Sequence, residues 1–352
     1  MRVLHVDTAR EWRGGQTQLL LLLRANPHHE VALPPDAPLR PAAEGLGIRV
    51  HPVSFHGPWR GTKTLARLIR ARGPDLVAAH TSHAHGHALL AGGAPLVVHR
   101  RLDFRPGVLS RLKYRGPRGY VAVSQAVKGE LSVAGVAPER IEVVHDGVDP
   151  EPFLDAEPIP LRDSLRCGPN AVLVGAVGAL VPHKGHAVLV DAMAILRSSG
   201  VPAVAVIAGE GKLRGTLVRQ IRRRGLEGVV HLLGHRHDVP GLLGAIDVMC
   251  HPSLEEGMGQ AVVEAMLAGT PVVASAAGGI PEVVEHETTG RLVPPGVASE
   301  LARGLTQAIA TMPATRRFAE KARTAARARF GPERMVRGTL AAYHRFLTVA
   351  DL

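Results

Sequence analysis

A chain of 352 residues with 45% apolar side chains is long enough for two domains of ordinary size, each with its own core. Forty-two Lys and Arg against 31 Asp and Glu give a net charge of +11, which favours phosphates, phosphorylated substrates or peripheral contact with an anionic membrane surface. Only 3% of the residues are aromatic, too few for an interleaved stacking platform, so nucleic acid is not an expected partner. Cys167 and Cys250 stand far apart, match no metal spacing and imply no disulfide framework. The amino terminus "MRVLHVDTAREW" lacks the long apolar core of a signal peptide, so a cytoplasmic protein is expected, peripheral to the inner face of the membrane at most.

In chain order, "VLHV" (3–6) reads as a strand, "EWRGGQ" as a loop carrying Gly14 and Gly15, and "TQLLLLLRA" as a helix. Further strands are expected at 75–80, 95–100 and 119–124, with helical stretches such as "GTKTLARLIRARG" between them. Such alternation implies a parallel sheet covered on both faces. Residues 140–149 read as the last strand of this unit and the proline-rich stretch 150–163 as a linker, which bounds a first domain at 1–155. The same grammar restarts at 171–180 and runs through a helix (186–200), a strand (203–211), a basic helix (211–225) and a strand (229–234). A short helix (239–246) and strands at 247–253 and 270–275 complete a second domain, 156–330. Residues 331–352 are expected as a closing helix that packs back on the first domain. The expected fold class is α/β: two Rossmann-like doubly wound domains facing across a cleft, with ligands beyond the carboxyl ends of the strands.

The stretch "EEGMGQAVVEAMLAGTPVVASAAGG" (255–279) sets Glu256 and Glu264 around a glycine-rich loop. Gly257, Met258 and Gly259 lack a helical pattern, whereas Ala261, Val262, Ala265, Met266 and Ala268 recur at helical spacing before Gly269, so a helix should begin near Gly259 or Gln260. Its first turn offers unpaired N–H groups and the positive end of a dipole, a site for phosphate. Glu264, one turn inside, and Glu256, on the loop before it, are placed to reach hydroxyl groups beside that phosphate. Lys184 in "VPHKGH" follows a strand and suits phosphate as a point charge. Gly209 and Gly211 would let backbone approach a ligand, as would Gly14 and Gly15, and "HRHD" at His235 would shape a pocket through its backbone.

His80, His83, His85 and His87 crowd "HTSHAHGH", but with no carboxylate or cysteine at helpful spacing they read as polar cleft lining rather than a zinc site. Arg100, Arg101, Arg105, Arg111, Lys113, Arg115 and Arg118 fall within a span whose only acid is Asp103, and read equally as solvated surface or as a binding patch. The chain lacks G-x-x-x-x-G-K-[ST], G-x-S-x-G and G-x-G-x-x-G, which argues against a P-loop NTPase, a serine hydrolase and a dinucleotide dehydrogenase.

Taken together, "VGAVGALVPHKG", "IAGEG", the run from "DVMCHPS" to "GGIPEVV" and "TTGRLVPPG" resemble the retaining nucleotide-sugar glycosyltransferases of family 4, which have the GT-B fold. The resemblance implies that Glu264 holds the donor ribose, that Glu256 lies by the sugar hydroxyls, and that Gly257, Met258 and Gly259 offer backbone to the donor. It further implies that Lys184 binds the diphosphate, that Gly14 and Gly15 face it from the first domain, and that His99 stands beside the reacting sugar carbon. No metal or other cofactor is implied; the partners would be a nucleotide sugar and a glycan or lipid-linked acceptor, as in cell-envelope polysaccharide or lipopolysaccharide assembly. Where the family has Gly-Arg-Leu this chain reads Gly178, Ala179, Leu180, and where it has Asn-Gly-Val-Asp this chain has Asp146, Gly147, Val148, Asp149. A sugar-nucleotide epimerase or phosphorylase on the same fold, or a non-catalytic nucleotide-sugar-binding homologue, are the alternatives.

Overall fold

The computed structural model describes residues 1–101, 111–168 and 170–348. The chain divides into two compact units, one of Met1–Gly147 with Pro332–Leu352 and one of Val148–Gly331. In the first unit β1 (Val3–Val6), β2 (Glu30–Leu33), β3 (Arg49–Pro52), β4 (Leu76–Ala79), β5 (Leu96–Arg100), β6 (Gly119–Ala122) and β7 (Ile141–Val143) form one sheet. Its order is β3-β2-β1-β4-β5-β6-β7 and each pairing is parallel. In the second, β8 (Val172–Val177), β9 (Ala203–Ala208), β10 (Val230–Gly234), β11 (Val248–His251), β12 (Val272–Ser275) and β13 (Arg291–Val293) run in the order β10-β9-β8-β11-β12-β13, again all parallel.

Strand order reverses between β1 and β4 in one sheet and between β8 and β11 in the other. In open α/β sheets a crevice opens at that reversal, beyond the carboxyl ends of the strands. The loops that follow β8 and β11 therefore frame the natural ligand position of the second unit. Central strands such as β1, β4, β5 and β11 are buried at every residue, which is why they read as plain apolar runs.

The sequence reading omits β2, β3 and β13 and the helices Leu39–Gly45, Gln125–Val133 and Ala298–Ala310. β3, the outermost, is wholly buried at none of its residues, and β2 opens on the charged Glu30. The domain boundary also differs: it falls after Gly147, and residues 148–155 belong to the second unit. The stretch 150–163 is not a free linker. It forms the short helices Glu151–Leu154 and Leu161–Ser164. Leu154 O accepts from Arg323 at 2.7 Å, Ile159 N donates to Gly241 O at 3.2 Å, and Arg162 pairs with Asp247 at 2.5 Å. Prolines stiffen this segment while those contacts hold it down.

Candidate functional site

In the second unit the loops after β8, β9 and β11 are packed backbone to backbone. A Cβ added at Gly185 would lie 1.9 Å from Pro252 O, one at Gly209 1.9 Å from Gly178 O, and one at Gly211 2.6 Å from Leu180 O. Gly209, expected to admit a ligand, thus admits a neighbouring loop, and its N–H donates to Gly234 O at 2.7 Å. Leu254 N donates to His183 O at 2.7 Å, lacing the β8 and β11 loops together.

This scaffold presents two helices to the reversal point. His186–Ser198 starts after Gly185 and Gln260–Ala268 after Gly259; both glycines are left-handed, and neither helix receives a side-chain cap at its N-terminus. Val188 N and Val262 N donate to the carbonyls of Gly185 and Gly259, which leaves the first two N–H groups of each helix for another acceptor. The helix start at Gln260 agrees with the spacing of the sequence. Gly257, Met258 and Gly259 are all buried in the loop before it.

Glu256 is the hub of the site. Lys184 Nζ donates to Glu256 Oε2 at 2.5 Å, His251 Nε2 lies 2.9 Å from the same oxygen, and Ser253 Oγ donates to it at 3.2 Å. Burial pushes this carboxyl up, yet the His251 hydrogen bond and the Lys184 charge outweigh burial and hold it well below the usual carboxylate range. It is an anion at any physiological pH. His251, at the end of β11, and Ser253 were not singled out from the sequence; a polar residue at the last position of a buried apolar strand was the available signal.

Glu264 lies on the second turn of the helix Gln260–Ala268 and has the opposite character. Burial raises its carboxyl to about 7, against the pull of Lys184. The unfolded carboxyl titrates near 4.5, so the folded state binds the proton more tightly. Glu264 therefore contributes stability that is complete below the unfolded value and is lost as pH rises through about 7. Glu264→Gln, which cannot ionise, should accordingly be more stable than the parent at pH 8, by up to about 3 kcal/mol, with little difference at pH 4.5. Urea unfolding at the two pH values measures this; an equal offset at both would contradict it.

In the first unit, alternation along the strands governs what lies beneath the closing helix Pro332–Thr348. Val3, Leu76, Ala78 and Val97 pack against Ala342, Tyr343 and Phe346 of that helix. Two residues further on, the same face carries His5, His80 and His99, because successive side chains in a strand alternate. His5 Nδ1 lies 2.9 Å from His80 Nε2, His5 Nε2 lies 3.1 Å from His29 Nδ1, and His99 Nε2 lies 2.6 Å from the Tyr343 hydroxyl. The rings of His80 and His99 stack with centroids 4.3 Å apart. Beyond them on that face are Asp7, bonded by Gln16 Nε2 at 2.9 Å, and Arg101, paired with Asp146 at 3.0 Å.

His99, expected beside the reacting sugar carbon, is 5% exposed and bonded to Tyr343. The cleft-lining expectation for "HTSHAHGH" is also corrected. His80 is in the buried cluster, while Ser82–Ala91 is a helix capped by Thr81, which spreads the rest over its faces. His85 bonds Lys113 O at 3.2 Å, His87 bonds Thr62 Oγ1 at 2.8 Å, and His83 is exposed. Gly14 and Gly15 open the helix Gly14–Ala25 instead of forming a loop, and Gly15 has only Arg101 Cδ, at 3.9 Å, near the side it leaves bare. His235 is exposed, its ring edge-on to His237. Arg100 and Arg101 turn inward, so the basic cluster is not one surface patch; Asp103, Arg105 and the side chain of Arg111 lie outside the described residues. Among the described residues no group of three or more His, Cys, Asp or Glu is placed to hold a metal ion, and no helix is long and apolar enough to cross a membrane.

Comparison with known proteins places this geometry. Residues 161–325 match the family "Glycosyl transferases group 1" and residues 17–152 match "Glycosyltransferase Family 4". The amylovoran biosynthesis glycosyltransferase AmsK of Erwinia amylovora is 35% identical over 228 residues, 61% of this chain and 54% of that protein. The 2-deoxystreptamine glucosyltransferase of Streptomyces kanamyceticus is 34% identical over 48% of this chain and 45% of its own length. The chain thus spans about half the length of the curated relatives it matches. Among solved structures, HepE from Anabaena, crystallised in complex with UDP-glucose, superposes with a TM-score of 0.86 at 27% identity, covering 98% of this chain and 100% of that one. Two matched halves with two parallel doubly wound sheets lead to one assignment: the chain belongs to the group 1, family 4 glycosyltransferases of GT-B fold.

Proposed function

We propose that this protein is a retaining glycosyltransferase that moves a hexose from a nucleoside-diphosphate sugar to a glycan or lipid-linked acceptor, without a metal ion. The observation that carries the reading is the meeting of Lys184 and Glu256 between two helix N-termini that no side chain caps. In this reading the diphosphate takes the first-turn N–H groups and Lys184, Glu264 accepts from the ribose hydroxyls, and Glu256 accepts from hydroxyls of the sugar. The UDP-glucose complex of HepE supports a nucleotide-sugar donor. As the bond from the anomeric carbon to the phosphate oxygen breaks, charge grows on the leaving diphosphate. Lys184 and the helix termini stabilise that charge more in the transition state than before it, which is the condition for acceleration. The acceptor oxygen bonds the same face of the anomeric carbon and its proton passes to the leaving phosphate.

A role in cell-envelope polysaccharide assembly is supported by the likeness to AmsK, while the 2-deoxystreptamine glucosyltransferase shows that a relative acts on a small cyclitol. The test begins with thermal shift against UDP, GDP and ADP sugars, since a ligand of the native state raises its stability. The stabilising donor is then offered lipid-linked glycans and aminocyclitols in EDTA, and the anomeric configuration of the product is read by NMR. Transfer with retention is expected. An inverted linkage removes the mechanism, loss of transfer in EDTA removes metal independence, and stabilisation without transfer favours a non-catalytic binding protein.

A further inference from the structure

His186 is the first residue of the helix His186–Ser198 and only 2% exposed. Neither ring nitrogen makes a hydrogen bond of good geometry; the ring has only weak, poorly aligned hydrogen-bond contacts with the backbone of Gly178 and Ala179. A buried imidazole held only by such poorly aligned backbone contacts is under-satisfied, and buried polar groups of that kind call for a specific explanation. The surroundings suggest one. A Cβ built on Gly178 would stand 3.7 Å from Lys184 Cδ and 3.8 Å from His186 Nε2, so glycine leaves open a point flanked by the lysine stem on one side and the imidazole on the other. That point is at the mouth of a helix of 13 residues whose N-cap, Gly185, has no side chain to offer. Ala179, next in the chain, brings no charge.

We propose that His186 is a phosphate-binding residue of the donor site, its ring N–H donating to an oxygen of the diphosphate lodged over Gly178, beside the Lys184 ammonium. The inference rests on the donor reading above and adds a residue to it. Burial, with the charge of the neighbouring His251, lowers the imidazole to about 4, so at neutral pH the ring supplies a donor without a charge. Lys184 then supplies the cation, while His186 and the first-turn N–H groups fix direction. A hydrogen bond to an ionised phosphate is of the stronger kind.

Pyrophosphate and uridine, titrated separately into the full chain, test the assignment. His186→Ala should weaken pyrophosphate about ten- to a hundredfold and leave uridine unchanged, and His186→Gln, whose amide donates from a similar reach, should recover most of the loss. A purely structural role would shift both ligands together or neither. Melting temperatures establish that the variants are folded, and His186→Phe, which fills the space but carries no donor and should weaken pyrophosphate to a similar degree, carries the test if His186→Ala is not. Equal pyrophosphate affinity in parent and variants overturns the inference, as does absence of pyrophosphate binding by the parent. Glu264→Gln separates the two readings: if it leaves uridine affinity intact the donor assignment itself is at fault, whereas its loss alongside an inert His186→Ala confines the failure to His186.

Discussion

Lys184→Ala should lower kcat/KM for the donor sugar about tenfold to more than a hundredfold, with the KM for the acceptor little changed. Such a loss corresponds to a charge-assisted hydrogen bond of about 1.5–3 kcal/mol made to a leaving group whose charge is greatest in the transition state. In the free protein Lys184 also neutralises Glu256 at 2.5 Å, with both side chains largely buried. The variant should therefore lose stability as well, by about 1–3 kcal/mol, softened because His251 and Ser253 still hold the carboxylate. Lys184→Arg, which keeps the charge but not the point geometry, should fall between the two. Steady-state kinetics beside a urea midpoint separate the effects. A folded Lys184→Ala that transfers sugar at the parental rate would remove Lys184 from the mechanism.

Mild acid should unfold the first unit steeply. Burial lowers His5, His80 and His99 well below 6.5, helped by His80, His99 and Arg101 respectively, and it lowers His29 to about 4 and His85 to about 3. Above pH 6.5 these rings are neutral whether the chain is folded or not, and their stability contribution is constant. Below 6.5 the unfolded chain takes up protons that the folded one refuses, so stability falls as pH drops toward the folded values. Each ring should cost about 1 kcal/mol between pH 6.5 and 5.5, or about 5 kcal/mol for the five, a large part of the stability of an ordinary domain. Asp7 and Asp146, whose carboxyls burial raises above 3.8, act in the opposite sense, adding stability as pH falls toward that value. Hydrogen exchange of β1, β4 and β5 across this range reads the effect in the right unit. A flat profile from pH 7.5 to 5.5 would show that the cluster is already charged or solvated.

Periodicity determined a great deal here. The alternation of buried apolar runs with helical spacing specified two parallel α/β units, because a strand covered on both faces has to be apolar throughout. The start of the helix at Gln260 was equally legible, since Gly257 to Gly259 break a 3.6-residue pattern that resumes at once. So were Glu256, Glu264 and Lys184 as charged groups near strand ends, where loops of such sheets carry chemistry. β3, wholly buried at none of its residues, carries no continuous apolar run to register, and the prolines of 150–163 looked like a linker because their contacts with Arg323, Gly241 and Asp247 come from distant parts of the chain. Tertiary structure alone decided which polar groups meet. His99 reads as a polar residue at a strand end, yet the closing helix, more than two hundred residues later, covers it with Tyr343. Gly209 reads as room for a ligand, yet Gly178 O fills that room. Glu256 and Glu264 are the same side chain, eight positions apart, and only their surroundings hold one as an anion and raise the other to about 7. Local spacing records backbone geometry and burial, which act over a few residues; the protonation of a carboxyl depends on charges and solvent brought to it by folding.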